Sequence, residues 1–194
     1  MSKKVDIVIP CLKEPERVQR LSGLVEMIVE HTKVPYNIII VISEESSAHN
    51  KNQGFRMSQN PYICFVDEDV IINQDCWLGL MLETLESYPQ AGAVMPRLTF
   101  PDGRPQNKTS NVFDIQETRA GCSACLLCRK GITEFDESFI GAWAEDEDFV
   151  MQLDAKGYKI YCDGRVNILH LAQHNRPIEA NEKYLLQKWG HTRR

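Results

Sequence analysis

The apolar positions along the chain fall into two rhythms. Short unbroken runs at residues 5–9, 37–42, 62–66 and 91–95 alternate with longer, mixed stretches. In the stretch 14–31, Val18, Leu21, Leu24, Val25, Ile28 and Val29 recur at helical spacing. Runs of this length read as strands, and a stripe at three- and four-residue intervals reads as one face of an amphipathic helix. Pro10 closes the first run and Pro96 the fourth. Proline cannot donate to a strand ladder, so both runs are predicted to stop there. The run 37–42 carries Ile and Val without alternation, the pattern of a strand buried on both faces of a parallel sheet. Residues 46–58 are polar and predicted partly helical, and 75–87 predict a helix with Trp77, Leu78, Leu80, Met81, Leu82 and Leu85 on its apolar face.

Strand and helix therefore alternate through the first half. This predicts an α/β fold, a Rossmann-like, mostly parallel central sheet with flanking helices and ligands at the carboxyl ends of the strands. The second half reads differently. Residues 97–118 are rich in turn formers, including Pro101-Asp102-Gly103. Strands are predicted at 122–128, 158–162 and 166–171, a helix at 146–156 stopped by Gly157, and a short helix at 181–189 before a basic tail. Neither a repeat nor a long linker interrupts the chain, so one domain is expected over 1–194.

Composition narrows the class. Hydrophobic residues at 43% and charged residues at 25% suit a packed core and exclude a disordered chain. A net charge of -5 gives no general attraction to nucleic acid or anionic membrane, and no nucleic-acid partner is expected. No run approaches the roughly twenty apolar residues of a membrane span. The opening Met-Ser-Lys-Lys leads into an apolar run that is short for a secretory leader and holds Asp6, so a cytoplasmic location is expected. Seven cysteines, an odd number, read as free thiols. Cys122, Cys125 and Cys128 have a cluster-like spacing, but no glycine or proline forms a knuckle and a strand turns Cys125 away from the other two.

Two acidic groups carry the candidate chemistry. Asp67-Glu68-Asp69 follows directly on the apolar run 62–66. Carboxylates two apart in such a loop reach one hard divalent cation, which can bridge a diphosphate. A solvated acidic loop would look the same. Glu145-Asp146-Glu147-Asp148 stands at a predicted helix start, where carboxylates are favoured, yet four exceed what capping needs and one is free to act as a general base. His170 is placed to complete a carboxylate-rich metal site, and His174 follows four residues on. Glycine-rich dinucleotide and phosphate loops and a nucleophile elbow are all absent from the sequence.

In this order the motifs resemble the family 2 inverting glycosyltransferases of the glycosyltransferase A fold. The resemblance rests on Val5-Asp6-Ile7-Val8-Ile9-Pro10, Lys51-Asn52-Gln53-Gly54, Tyr62 to Asp69, Phe135-Asp136-Glu137-Ser138-Phe139 and Glu145-Asp146-Glu147-Asp148-Phe149. The chain departs from the family pattern at Lys13, Glu44 and Gln152. The resemblance implies a nucleoside diphosphate sugar donor, UDP-linked by default, with Mn²⁺ or Mg²⁺, and a saccharide, lipid-carrier or small-molecule acceptor. It implies Asp69 as principal metal ligand, Asp67 on metal or ribose, His170 reaching the metal, Asp146 as base and Glu145 shaping the acceptor site. Pro10, Glu14, Glu44, Asn52, Asp67 and Glu68 fall on the nucleotide side. The nucleotide-binding half would span about 1–96, the acceptor half about 97–175, and a C-terminal helix about 178–190. Two alternatives stand beside this reading. A nucleotidyltransferase would need an early glycine-rich basic loop, which 11–17 lacks. A non-catalytic scaffold of the same fold would be in keeping with the departures.

Overall fold

The structure is a computed structural model that describes residues 4–106, 108–171 and 178–190. In chain order the elements are β1 (Val5–Leu12), α1 (Pro15–His31), β2 (Tyr36–Ser43), α2 (Ser47–Met57), β3 (Tyr62–Val66), β4 (Val70–Ile71) and α3 (Trp77–Ser87). They continue with β5 (Ala91–Thr99), a 3-10 helix (Lys108–Asn111), β6 (Ile115–Thr118), β7 (Cys125–Arg129), α4 (Glu145–Ala155), β8 (Lys159–His170) and α5 (Glu179–Trp189). All eight strands form one sheet in the order β2-β1-β3-β7-β5-β8-β4, with β6 also paired to β8. β1, β2, β3, β5 and β8 run one way, and β7, β4 and β6 run against them.

The main core is built on this sheet. β1 is buried along its length except at Leu12, and α1 lays Leu21, Leu24 and Ile28 against the core. Val18 and Val29 stay exposed, so the buried stripe of α1 is narrower than the sequence stripe. α2 is polar in sequence yet buries Asn50, Lys51, Asn52 and Gly54. Gly54 permits this approach: a Cβ there would stand 2.2 Å from Val8 Cγ1. Asn52 bridges to the following loop, donating to Phe135 O at 2.8 Å and Glu137 Oε1 at 2.9 Å, while Phe135 N donates to Asn52 Oδ1. Phe135 in turn stacks on Phe149 and meets Phe65 edge-on.

Four sequence expectations are corrected. β2 is the sheet's edge strand, not a strand covered on both faces, and leaves Ile40 and Ile42 exposed. A hydrophobic run reports affinity for a sheet, not how many neighbours the strand has. Both proline stops fail: β1 runs through Pro10 to Leu12 and β5 past Pro96 to Thr99, where the proline is accommodated as the register with β8 shifts between Pro96 and Arg97. Residues 158–162 and 166–171 belong to one strand, β8, because the intervening residues carry the bulge opposite Pro96. β6 lies inside the segment read as turns.

Two outcomes follow from these contacts. Gly54→Ala drives a methyl into Val8 and should cost about 2 kcal/mol of stability, measured by urea unfolding. Glu137 is held down to about 2 because the donors Asn52, Arg56 and His49 outweigh its burial, which acts in the opposite sense. A carboxylate lowered in the folded state adds stability above its unfolded value of 4.5 and loses it as pH falls toward about 2. Glu137→Gln should therefore cost about 1 kcal/mol at pH 7, with the gap to wild type closing as the pH is lowered.

Candidate active site

The carboxyl ends of β1 and β3 open into a cavity of about 480 Å³ lined by Pro10, Cys11 and Leu12 from the first and Asp67, Glu68 and Asp69 after the second. β7 runs against β3, so the residues leading into it arrive at this same edge. Asp67 N donates to Ala124 O at 2.8 Å, and Cys122 and Ser123 line the cavity beside it. β8 ends here too and delivers His170. The first turn of α4 closes the ring with Glu145 and Asp146, preceded by Trp143 and Ala144. The two acidic groups, 78 positions apart in the chain from Asp67 to Glu145, thus meet in one cavity.

Each carboxylate has its own surroundings. Asp69 is buried and its Oδ1 lies 3.1 Å from His170 Nε2. Burial disfavours charge on both groups, but their mutual hydrogen bond and attraction prevail, lowering the Asp69 pKa and raising that of His170. Asp67 is pushed up to about 7 by burial, with Asp69 and Glu68 adding to the rise and the Lys51 ammonium opposing it. Glu68 accepts from Arg17 Nη1 at 2.8 Å, with Arg20 4.0 Å away. Two carboxylates, Asp67 and Asp69, beside an imidazole suit a hard divalent cation that an oxygen-bearing ligand would complete. Among the described residues, no three such groups are already gathered at metal-ligand spacing.

Gln106 orients the imidazole. Its amide Nε2 lies 2.6 Å from His170 Nδ1, while its Oε1 is buried with no partner among the described residues. Turning the amide over would let Gln106 Oε1 accept from His170 Nδ1–H, leaving the lone pair on His170 Nε2, the nitrogen beside Asp69, as a metal ligand requires.

Three of the four acids in the first turn of α4 have distinct surroundings. Its N-cap, Ala144, has a left-handed φ of 70° and supplies no side-chain cap. Glu145 accepts from Lys51 Nζ at 3.3 Å. Asp148 is fully buried and accepts from Gln152 Nε2, Trp189 Nε1 and Lys188 Nζ. Asp146, half-buried, lines the cavity. α5 braces this turn: Leu185 packs with Phe139, Ala144 and Met151, and Asn181 donates to Ile140 O and Trp143 O and accepts from Ile140 N.

The structure brings Pro10, Asp67, Glu68, Asp69, Glu145, Asp146 and His170 together. Three residues expected on the nucleotide side do not line this cavity, and their side chains have partners outside it. Glu14 is exposed and pairs with Arg17, Glu44 is exposed and pairs with Lys13, and Asn52 is spent on the 135–137 loop. His174 lies outside the described residues. Arg17, Gln106 and Ser123 line the cavity and Lys51 lies behind it. None was singled out by sequence, although Lys51 stood one position from Asn52 in a recognised motif.

Comparison with solved structures shows that this sheet, with its acidic cavity at the carboxyl edge, has the glycosyltransferase A fold. Staphylococcus aureus TarS superposes with a TM-score of 0.68 at 12% identity, over 87% of this chain and 37% of TarS. GalNAc-T7, solved with UDP, GalNAc and Mn²⁺, gives 0.67 at 7% identity, over 97% of this chain and 48% of its own. A mutant of Drosophila β1,4-galactosyltransferase 7, solved with manganese, UDP-Gal and xylobiose, gives 0.60 at 14% identity, over 93% and 79%. At these identities the likeness concerns the fold, and the chain spans less than half of the first two proteins. No curated protein matches the sequence. The family model of glycosyl transferase family 2 matches residues 21–136, more than half of the chain. The chain belongs to that family of glycosyltransferases. Among the described residues no helix is long and apolar enough to cross a membrane.

The bracing of α4 gives a direct prediction. Asn181→Ala removes three part-buried hydrogen bonds to the backbone of Ile140 and Trp143 and should cost about 1–2 kcal/mol by urea unfolding.

Proposed function

We propose that this cavity transfers a glycosyl group from a nucleoside diphosphate sugar, a UDP-sugar by default, to an acceptor hydroxyl in one inverting displacement. The observation that carries the reading is the meeting of Asp67, Asp69 and His170 with Glu145 and Asp146 in one cavity. The first group suits the charge of a leaving diphosphate and the second suits proton removal. UDP bound to a TarS fragment, and the UDP and manganese bound to GalNAc-T7, support the donor class. The xylobiose held by the Drosophila enzyme favours a saccharide acceptor over a lipid carrier or small molecule. Residues of about 1–96 would serve the donor and those of about 97–175 the acceptor, with the helix at about 178–190 bracing the second group.

Asp146 is the base in this mechanism. Glu145 is tied to Lys51, Asp148 to Lys188 and Trp189, and Asp146, in the first turn of α4, lines the cavity where an acceptor would approach. It takes the hydroxyl proton as the acceptor oxygen bonds to the anomeric carbon, and the bond to the diphosphate breaks with its electron pair on phosphate. Asp69 and His170, joined by Asp67, would hold Mn²⁺ or Mg²⁺, which when bound offsets charge on that phosphate. Arg17 stands at the same end of the cavity, although Glu68 and Glu14 engage its guanidinium.

Asp146→Asn should lower transfer, read as UDP release from UDP-sugars, by about 10²–10⁴-fold while Mn²⁺-dependent UDP affinity stays near wild type. Unchanged transfer would overturn the base assignment. Because a cation competes with the Asp67 proton, that affinity should also weaken as pH falls below about 7, followed by calorimetry.

A further inference from the structure

Lys51 is a lysine where none is expected, in the middle of a polar helix but 1% exposed. Its ammonium donates to Ser47 Oγ at 2.8 Å, Ser123 Oγ at 2.6 Å and Glu145 Oε1 at 3.3 Å, and lies 3.9 Å from Asp67 Oδ1. Three donors and three acceptors use the group fully. Those acceptors sit on α2, on the approach to β7 and on the first residue of α4, and Asp67 follows β3. Burial alone would favour the neutral amine, but Asp67, Glu145 and Asp146 outweigh it and hold the charge.

The turn that Lys51 reaches needs an outside anchor. α4 begins on the left-handed Ala144, without a side-chain cap and with four acids in its first turn. The helix N-terminus favours part of that charge and Lys188 answers Asp148, and Lys51 brings the cation that meets Glu145.

We propose that Lys51 is a positioning residue for glycosyl transfer. By bridging Glu145 to the end of β3 it fixes the first turn of α4, and with it Asp146, against the place where the diphosphate leaves. The inference rests on the transferase reading of this cavity. Lys51 touches neither donor nor acceptor in this account. Its effect is on geometry, so it should govern turnover and not donor affinity.

The test compares the full chain as wild type, Lys51→Met and Lys51→Arg, by hydrogen–deuterium exchange and by steady-state UDP release. Lys51→Met should raise exchange across residues 143–149 by about tenfold while β1 and β3 keep their protection. Turnover should fall about 100-fold, as a displacement near 1 Å would cause. The donor KM should stay within about threefold. Lys51→Arg keeps the charge and should recover protection and most of the turnover. Wild-type exchange in Lys51→Met overturns the proposal, as does a raised KM with kcat intact. If Lys51→Met does not fold, Glu145→Gln removes the bridge from its other end and must loosen 143–149 in the same way, or the proposal fails. Loosening of 143–149 in a protein whose wild type turns over no UDP-sugar would support the bridge and reject the transferase reading alone.

Discussion

The rest of the structure depends on how five carboxylates are kept in one cavity. Asp67, Glu68, Asp69, Glu145 and Asp146 all line it, in a setting where like charges repel more strongly than in water. The side chains that answer them come from separate parts of the fold. Lys51 from α2 meets Glu145, Arg17 from α1 meets Glu68, and His170 from β8 meets Asp69. Each pair joins two elements, so the charge balance also fixes the relative placement of helices and strands. Asp67 keeps a raised proton affinity, chiefly through burial and secondarily because Asp69 and Glu68 stand beside it, despite the Lys51 ammonium.

Strand direction makes this gathering possible. A wholly parallel sheet would bring only strand ends to the ligand edge. Here β7 runs the other way between β3 and β5, so the segment entering it contributes Cys122, Ser123 and Ala124 beside Asp67. α5 then braces α4 from behind through Asn181, Lys188 and Trp189. Lys188 and Trp189 at the end of α5 are thereby put to use on Asp148, which is buried and draws three side-chain donors.

The strands and helices that position the site were legible because their patterns are local. The run 62–66 followed at once by three acids, and the four acids leading into an apolar-faced helix, each place a chemical group at an element's end without knowledge of the rest. What the sequence hid is tertiary. The Ile-rich β2 reads as doubly covered, yet its position at the edge is set by which strands come later. β6 is Ile-Gln-Glu-Thr, too short and polar to stand out from its turn-rich surroundings. Nothing in the polar run around Lys51 marks it for burial, which follows from the convergence of Ser123, Glu145 and Asp67 from distant segments. Glu14, Glu44 and Asn52 show the converse, since their motif positions are near the site while their side chains are committed elsewhere.

The central claim is that this acidic cavity is a metal-assisted nucleotide-sugar site. Its most direct test is thermal stability of the protein with UDP, GDP, CDP or dTDP, each in Mn²⁺ and in chelator, since a ligand confined to the native state raises the melting temperature by mass action. The account predicts a rise for one nucleotide, UDP in the first instance, that disappears with the chelator. A folded protein indifferent to every nucleotide in both conditions would contradict it and favour a scaffold built on the same fold.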